Sequence, residues 1–182
     1  KNQDTLRIYN LHLQSIRFGA EDYEFLEEDK EELTGVSRIV SRLRKAFIRR
    51  EDQVHAIREH MKSCGYPMIV MGDFNDFDED PLDSNDNKPI SQVLDIVRGK
   101  HTNVYKLYNV ASSMPKEERY SDWWDKNGDC KSTPNEFSKI DHILVTPKLQ
   151  TKINSVSIYH GYDEFCDTYN SDHYPLLLEL KL

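Results

Sequence analysis

The sequence has 182 residues, of which 37% are hydrophobic and 31% are charged, and its formal net charge is −8. This composition is typical of a globular domain with one hydrophobic core, and it excludes a disordered chain. The acidic balance argues against a module that holds nucleic acid by charge alone, but it suits an enzyme that meets phosphate through divalent cations, because carboxylates bind such cations.

No apolar run approaches the roughly 20 residues of a membrane helix, so we expect no transmembrane segment. The first residues, KNQDTLRIYN, lack the features of a signal peptide. The three cysteines, Cys64, Cys130 and Cys166, form no CxxC pair. They allow one disulfide and leave the cellular compartment open.

The first predicted elements are a strand and a long helix. TLRIYNLHL, residues 5–13, alternates in polarity, and its period of two places Asn10 and His12 on one face. Further on, Thr34 could cap a helix over residues 35–63, where apolar residues recur at helical spacing.

Charged residues are concentrated in the segment before that helix and on one face of the helix. Residues 21–32 carry eight acidic side chains, and we expect a solvated loop or the start of a helix there. The helix itself carries a cationic face, which we interpret as solvated and partly paired to the acidic stretch. Its members are Arg38, Arg42, Arg44, Lys45, Arg49 and Arg50.

Later elements alternate between strands, loops and a short helix. The patterns predict strands at 67–71, 138–147, 153–160 and 175–182, a helix at 90–97, and either a strand or a helix at 104–111. Mixed strands and long helices point to the α/β class with layered sheets.

The stretch MIVMGDFND, residues 68–76, is the first with a chemical signature. Its apolar start predicts a buried strand, which runs directly into Gly72, Asp73 and Asn75. Gly, Asp and Asn form turns, so a plain turn is one interpretation. A functional site at the end of the strand is the other.

Three further stretches show the same pattern, in which a predicted strand carries polar side chains. They are NLH with Asn10 and His12, IDHI with Asp141, and SDHYPL with Asp172 and His173. Asp141 shares a strand face with Ile143 and Val145, so its carboxylate needs a partner.

In this order, the four motifs resemble those of the endonuclease/exonuclease/phosphatase superfamily, which has the DNase I-like fold. That family shows an N-x-H strand, then GD-x-N, then an aspartate in an IDHI- or YDRI-like strand, and then SDH. The resemblance spans residues 5–182. It implies an α/β (α+β) fold, a four-layered sandwich, of which residues 1–182 form the C-terminal portion of one domain.

The resemblance also implies a set of site residues. The expected catalytic residues are His12, Asp73, Asn75, Asp141 and His173; the expected substrate-binding residues are Asn10 and Ser171; the expected metal ligand is Asp172. The cofactor would be Mg²⁺ or Mn²⁺.

The roles follow the same resemblance. His12 would bond a phosphate oxygen or act as an acid, Asp73 would orient or deprotonate the attacking water, and Asn75 would hold water and phosphate. Asp141 would fix the tautomer of His173. Whether His173 acts as a base or as a protonated phosphate contact stays open.

The implied activity is metal-dependent hydrolysis of phosphoesters by in-line attack of water. A nuclease-type phosphodiesterase acting on DNA or RNA is our first hypothesis. An inositol-phosphate phosphatase or a sphingomyelinase-type phosphodiesterase is the second. The third hypothesis is that the chain is not an enzyme on its own but a catalytically incomplete binding or regulatory fragment.

One departure from the family motivates that last hypothesis. The family has an N-terminal half before the N-x-H strand, with a metal-binding glutamate for which we find no substitute. We therefore expect a complementing N-terminal segment of the same domain. Without it, we expect one sheet face to expose Leu6, Ile8, Ile143, Val145 and alternate leucines of the last strand.

A second motif lies within a predicted loop at 122–138. Four of its residues occupy positions 1, 3, 5 and 12 of an EF-hand loop: Asp125, Asn127, Asp129 and Glu136. Position 6 is Cys130 instead of glycine, so Ca²⁺ binding and an Asx-rich surface loop are both open. Trp123 and Trp124 could stack on a base or a lipid head group, or pack in the core.

Overall fold

The computed structural model of the chain describes residues 5–16, 18–27, 33–100, 106–125, 128–161 and 171–181. The helices are α1 (Ala20–Glu27), α2 (Leu33–Lys62), α3 (Val93–Arg98) and α4 (Pro147–Gln150). The strands are β1 (Arg7–His12), β2 (Met68–Asp73), β3 (Tyr108–Asn109), β4 (Asp122–Trp123), β5 (Phe137–Ser138), β6 (Asp141–Val145), β7 (Ile153–Ile158) and β8 (Leu176–Leu180). Short 3-10 helices cover Val110–Ser113, Lys116–Glu118 and Pro134–Glu136. Among these described helices, none has the length and apolar character needed to span a bilayer.

The main sheet has four strands in the order β1-β2-β6-β3. β1 and β2 are parallel, and the α2 crossover between them is the kind of connection that parallel neighbours require. β6 is antiparallel to both β2 and β3. The strands that carry NLH, GDFN and IDHI are therefore direct neighbours.

The two faces of this sheet pack against different layers. Met68, Val70 and Leu144 point toward α2 and α3, where they join one buried apolar cluster. The alternate residues Ile69 and Ile143 point the other way, toward the two-stranded sheet of β7 and β8. Helices, sheet and second sheet form stacked layers, so the predicted α/β (α+β) class with layered sheets is confirmed.

The expectation of an exposed inner face is wrong for two of its residues. Ile143 is 6% exposed and Val145 is fully buried. The reason is that β8 does not join the main sheet; it pairs with β7, and the pair covers this face. Ile8, at 52% exposure, is open as expected.

The acidic stretch forms a helix, one of its two predicted alternatives, and pairs with the cationic face as predicted. Asp22 differs from the prediction, because it is fully buried instead of solvated. Arg38 donates from Nε to Oδ1 of Asp22 at 2.6 Å, and Nε of Arg42 lies 3.1 Å from Oδ2. Thr34 lies inside α2 rather than capping it, because the helix begins at Leu33.

Candidate active site

Strand register places three of the predicted catalytic side chains in a row. His12 pairs with Asp73 across β1 and β2, and Asp73 pairs with Asp141 across β2 and β6. Nε2 of His12 lies 3.5 Å from Oδ2 of Asp73. The row runs across the edge of the sheet where β1 and β2 end and β6 begins.

The backbone before Asp73 explains the glycine of the GDFN motif. Gly72 has a φ of +128°, a region that residues with a side chain rarely adopt. A Cβ atom at this position would collide with the carbonyl oxygen of Leu11 on β1. The close approach of β1 and β2 at the site therefore requires glycine.

A tight turn joins Asp73 to Asn75. The backbone N–H of Asn75 donates to Oδ1 of Asp73 at 2.7 Å, and its Nδ2 donates to Oδ2 at 2.7 Å. Nδ2 also donates to the carbonyl of Leu13 at 3.1 Å, which ties the turn to the end of β1. Asn75 has a φ of +51°, which asparagine tolerates better than most residues. With its amide hydrogens used, its Oδ1 is the atom that remains for a ligand.

Asp141 holds His173 through a short hydrogen bond. Nδ1 of His173 lies 2.8 Å from Oδ2 of Asp141, and the Ser121 hydroxyl donates to the same oxygen at 2.9 Å. The backbone N–H of Asp141 donates to Oγ of Ser121 at 3.0 Å. Nδ1 of the imidazole therefore faces the carboxylate, and Nε2 faces outward.

The predicted substrate-binding residues line one cavity with this pair. Asn10, Ser171, Asp141 and His173 all border an open cavity of about 400 Å³. Oγ of Ser171 accepts a hydrogen bond from the backbone N–H of His173 at 3.0 Å, which shapes the SDH turn. The structure thus brings the NLH, IDHI and SDH motifs to one place.

Asp122 is a site residue that the sequence did not reveal. It forms an isolated antiparallel bridge with His173, so β4 brings its carboxylate beside the SDH motif. Oδ2 of Asp122 accepts from the Ser138 hydroxyl at 2.8 Å. No local signal marks it, because its neighbour His173 is about 50 positions away in the chain.

Asp122 and Asp172 could hold a metal ion beside His173. One atom of each of the three residues lies within 4.8 Å of the others. Carboxylate oxygens are the donors that Mg²⁺ and Mn²⁺ prefer. Asp172 is half exposed and Nε2 of His173 lies 3.9 Å from its Oδ1, so the cluster opens to solvent. The donor set fits the predicted cation, with Asp122 added to Asp172.

The environment of the site shifts the pKa values of three of its titratable groups, His173, Asp122 and Asp73. The hydrogen bond to Asp141 raises the pKa of His173 to about 9, although burial opposes the shift. The pKa of Asp122 is raised to about 6, chiefly by burial and also by Asp172 and Asp141, although the Ser138 hydroxyl and His173 lower it. Burial also raises the pKa of Asp73, with a contribution from Asp141, while the Asn75 N–H opposes it.

A fully buried polar network lies beneath the row. Nδ1 of His142 accepts from Nζ of Lys139 at 2.7 Å and from Nδ2 of Asn109 at 3.1 Å. Its Nε2 donates to the carbonyl of Asp76 at 3.0 Å, directly after Asn75. Burial lowers the pKa of His142 well below its ordinary value and that of Lys139 to about 8. A neutral His142 therefore ties β6 to the GDFN turn.

Two arginines complete the support under the turn. Nη1 of Arg98 lies 2.8 Å from both carboxylate oxygens of Asp78, and Asn109 donates to the same carboxylate at 2.9 Å. Arg50 is fully buried in α2 and donates from Nη1 to the carbonyl of Asn75. Arg50 was predicted on a solvated face, and the structure instead places it inside.

The predicted calcium loop is partly described. Oδ1 of Asp125 accepts from the N–H of Gly128 at 2.8 Å, and Oδ1 of Asp129 accepts from the N–H of Lys131 at 2.9 Å. Glu136 is buried, and its Oε2 accepts from Nε1 of Trp123 at 3.1 Å.

The remaining features of this stretch differ from a simple loop. Asn127 lies outside the described residues, and Cys130 is disulfide-bonded. β4 and β5 pair within the stretch that was expected to be a loop. Glu136 also caps the 3-10 helix at Thr133. Calcium binding stays a prediction. Trp123 packs in the core, whereas Trp124 is 51% exposed.

No family model matches the chain, and no curated protein matches its sequence at a significant level. Solved structures do match it. The chain is similar to NExo from Neisseria, solved as a 3′ phosphatase bound to a product DNA hairpin, with a TM-score of 0.57 and 17% identity over 96% of this chain and 61% of that chain. NExo from Neisseria meningitidis, described as a 3′-5′ exonuclease, gives a TM-score of 0.55 at 17% identity, over 96% of this chain and 61% of that chain.

A third similar structure is the catalytic domain of APE2 from Xenopus laevis. Its TM-score is 0.51 at 18% identity, over 98% of this chain and 50% of that chain. The chain thus spans about three-fifths of the length of the NExo chains and half that of the APE2 chain. These similarities show that the chain has the DNase I-like fold, the fold that its four motifs predicted.

Proposed function

We propose that the site hydrolyses phosphodiester bonds and that the chain is part of a nuclease-type phosphodiesterase dependent on Mg²⁺ or Mn²⁺. One observation carries the proposal: strand register sets His12, Asp73 and Asp141 side by side, with His173 bonded to Asp141. The similar fold of NExo, named as a 3′ phosphatase and a 3′-5′ exonuclease, supports phosphoester chemistry.

Asp73 and Asn75 are the residues suited to the attacking water. Asp73 is largely buried and its pKa is raised, so its carboxylate is a stronger proton acceptor than an exposed one. Asn75 holds both oxygens of Asp73 in place. Water would attack phosphorus in line with the ester oxygen, lose its proton to Asp73, and displace that oxygen as the P–O ester bond breaks.

The two imidazoles flank the position where phosphate would lie. His12 is 78% exposed at its side chain, so it can reach a substrate and donate a proton to the leaving oxygen. His173 presents Nε2 outward while Asp141 holds Nδ1, and this geometry suits a hydrogen bond to a phosphate oxygen. Asn10 and Ser171 border the same cavity and would orient the ester.

The cation would be held by Asp172 and Asp122 beside His173. When bound, it would supply positive charge for the phosphate oxygens. Without it, three carboxylates crowd around one imidazole, which is an arrangement that favours a bound cation.

A hydrolysis assay with two substrates tests the proposal. We expect the protein with Mg²⁺ or Mn²⁺ to hydrolyse bis(4-nitrophenyl) phosphate and a fluorescent oligonucleotide, and EDTA to abolish both activities. Asp73→Asn should lower the turnover rate of both substrates by at least about 10²-fold. Turnover that survives EDTA or Asp73→Asn would reject the proposal.

A substrate panel separates the remaining hypotheses. Faster hydrolysis of an inositol phosphate or of sphingomyelin than of any nucleic acid would favour the phosphatase or sphingomyelinase-type alternative. Binding of substrates without turnover under every metal condition would favour the non-catalytic alternative.

A further inference from the structure

A groove of about 720 Å³ lies between the first half of α2 and the segment that follows β1. Four cations line it, namely Arg38, Arg42, Lys45 and Arg49. Their spacing of four, three and four residues places them on one helix face. Gln14 and Ser15 form the opposite wall.

The charges of the groove are unequal along its length. Arg38 and Arg42 contact Asp22 and Glu21 of α1, so they are largely neutralised. Lys45 and Arg49 are exposed, and neither lies within ion-pair distance of a carboxylate in the described ranges. The contact of Arg49 is a neutral amide, Oε1 of Gln14 at 3.4 Å. Among the described residues of this chain of net charge −8, the groove thus holds two cations without a carboxylate partner.

The groove begins next to the candidate active site. Gln14 follows His12 by two residues, and the intervening Leu13 accepts the hydrogen bond of Asn75. From Lys45 to Arg49, the two cations without a carboxylate partner among the described residues, the helix axis rises by about 6 Å. Two cations in line along one helix face suit two successive phosphates of one strand.

Aromatic rings lie near one end of the groove, on and beside the helix α1 whose carboxylates contact Arg38 and Arg42. Tyr23 of α1 contacts Trp124 at 5.6 Å between ring centroids, and Phe18 contacts Tyr23 at 5.8 Å. Trp124 is half exposed and lies two residues after Asp122. An exposed aromatic ring near a cationic groove is a combination found on surfaces that bind single-stranded nucleic acid.

We propose that this groove binds the sugar–phosphate backbone of a single-stranded nucleic acid whose adjoining phosphodiester lies in the cavity at His12 and His173. The inference rests on the proposed phosphodiesterase function and names its substrate class. Lys45 and Arg49 contact phosphates that are not hydrolysed, and the exposed ring of Trp124 stacks on a base.

The binding test uses a fluorescein-labelled 20-nucleotide single strand in EDTA, with anisotropy measured over a range of salt concentrations. Lys45→Ala/Arg49→Ala should weaken binding at least about fivefold and lower the slope of log Kd against log salt by about 1.4. The matched control is Arg44→Ala/Lys148→Ala, which removes the same charge. Arg44 is an exposed neighbour of Lys45 that does not line the groove, and Lys148 lies on α4, beyond the opposite end of β6. This control should leave both quantities unchanged.

A kinetic test separates this inference from the proposed function. Lys45→Ala/Arg49→Ala should raise KM for the oligonucleotide and leave kcat/KM for bis(4-nitrophenyl) phosphate unchanged. Oligonucleotide binding that depends on Lys45 and Arg49 without hydrolysis of any ester would retain the groove and reject the phosphodiesterase.

Three outcomes would overturn the groove assignment. They are equal loss in the control variant, no loss in Lys45→Ala/Arg49→Ala, and equally tight binding of a duplex of the same length. Binding of anionic lipid vesicles in preference to the oligonucleotide would overturn it as well.

Discussion

Asp73 and Asp141 lie directly opposite each other across β2 and β6, and yet their carboxylates have different partners. Asp141 bonds the imidazole of His173 and the hydroxyl of Ser121, whereas Asp73 is bonded by Asn75. Burial is the largest cause of the raised pKa of Asp73, and the nearby charge of Asp141 also raises it, while His173 lowers it.

Replacing Asp141 with Asn should lower the pKa of His173 from about 9 toward its ordinary value. Because the raised pKa belongs to the folded state, the pair stabilises the fold fully below pH 6.5, and this contribution disappears as pH rises through 9. The variant should therefore lose stability at pH 6 and little at pH 10. An NMR titration of His173 and urea unfolding at both pH values, without metal, measure these effects. An unchanged His173 titration would contradict the assigned pair.

His173→Ala should reduce phosphodiester turnover by at least about 10²-fold, because it removes the imidazole that Asp141 orients in the cavity. His55→Ala is the matched control, since His55 is exposed on α2 and contacts only Glu51 among the described residues. Steady-state kinetics with the small diester would show the difference. Near-normal turnover in His173→Ala would mean that the imidazole has no role in the reaction.

Gly72→Ala should lower the free energy of unfolding by at least about 1–3 kcal/mol. The substitution adds a Cβ at a positive φ, in the position where the carbonyl oxygen of Leu11 lies. Gly65→Ala provides the control, since no atom lies within 4 Å of a Cβ built there. Thermal unfolding of the two variants makes the comparison. Equal melting temperatures would show that β1 and β2 do not approach as closely as described.

The buried ammonium of Lys139 should give stability a recognisable pH dependence. Its pKa is lowered to about 8 in the folded state, so its protonation opposes folding below pH 8, and this cost disappears between pH 8 and 10.5. The stability of the protein relative to Lys139→Met should rise with pH in that window, on the order of 1 kcal/mol per pH unit. Denaturant unfolding at several pH values tests it, and a constant difference between the two proteins would refute it.

Asp122→Asn should weaken Mn²⁺ binding by roughly tenfold, because it removes one carboxylate from the cluster with Asp172 and His173. Asp129→Asn, in the predicted calcium loop, should leave Mn²⁺ binding unchanged. Calorimetric titration of each variant with Mn²⁺ and with Ca²⁺ distinguishes the cluster at Asp122 from the predicted calcium loop. Absence of heat with Ca²⁺ up to millimolar concentration would eliminate the loop as a calcium site.

Local patterns in the sequence were sufficient for the strands that carry the motifs. Alternation in residues 5–13 and the apolar run before Gly72 predicted β1 and β2, and Asp141 does share a face with Ile143. Each of these signals is contained within a few residues, so it needs no knowledge of the tertiary fold.

Pairings between distant residues could not be predicted in this way. Asp122 meets His173 only because β4 bridges the SDH turn. No local signal marks His142 as buried, because its hydrogen-bond partners Lys139 and, from β3, Asn109 are brought to it by the tertiary fold. The pairing of Arg38 and Arg42 with the acidic stretch was predicted, but the burial of Asp22 between them was not. In each case the arrangement of distant partners decides the environment, and a single sequence does not show that arrangement.

The alternation within β6 has a consequence for folding fidelity. Asp141 faces the cavity, and His142, one residue later, faces the helix-side core. A slip of β6 by one residue would exchange the two faces. It would turn a carboxylate into the buried layer and leave the ammonium of Lys139 without its imidazole acceptor. Isolated buried charges cost several kcal/mol each, a large part of the stability of a typical domain. A chain with this strand out of register would therefore be disfavoured during folding, so Asp141 also favours the correct strand pairing.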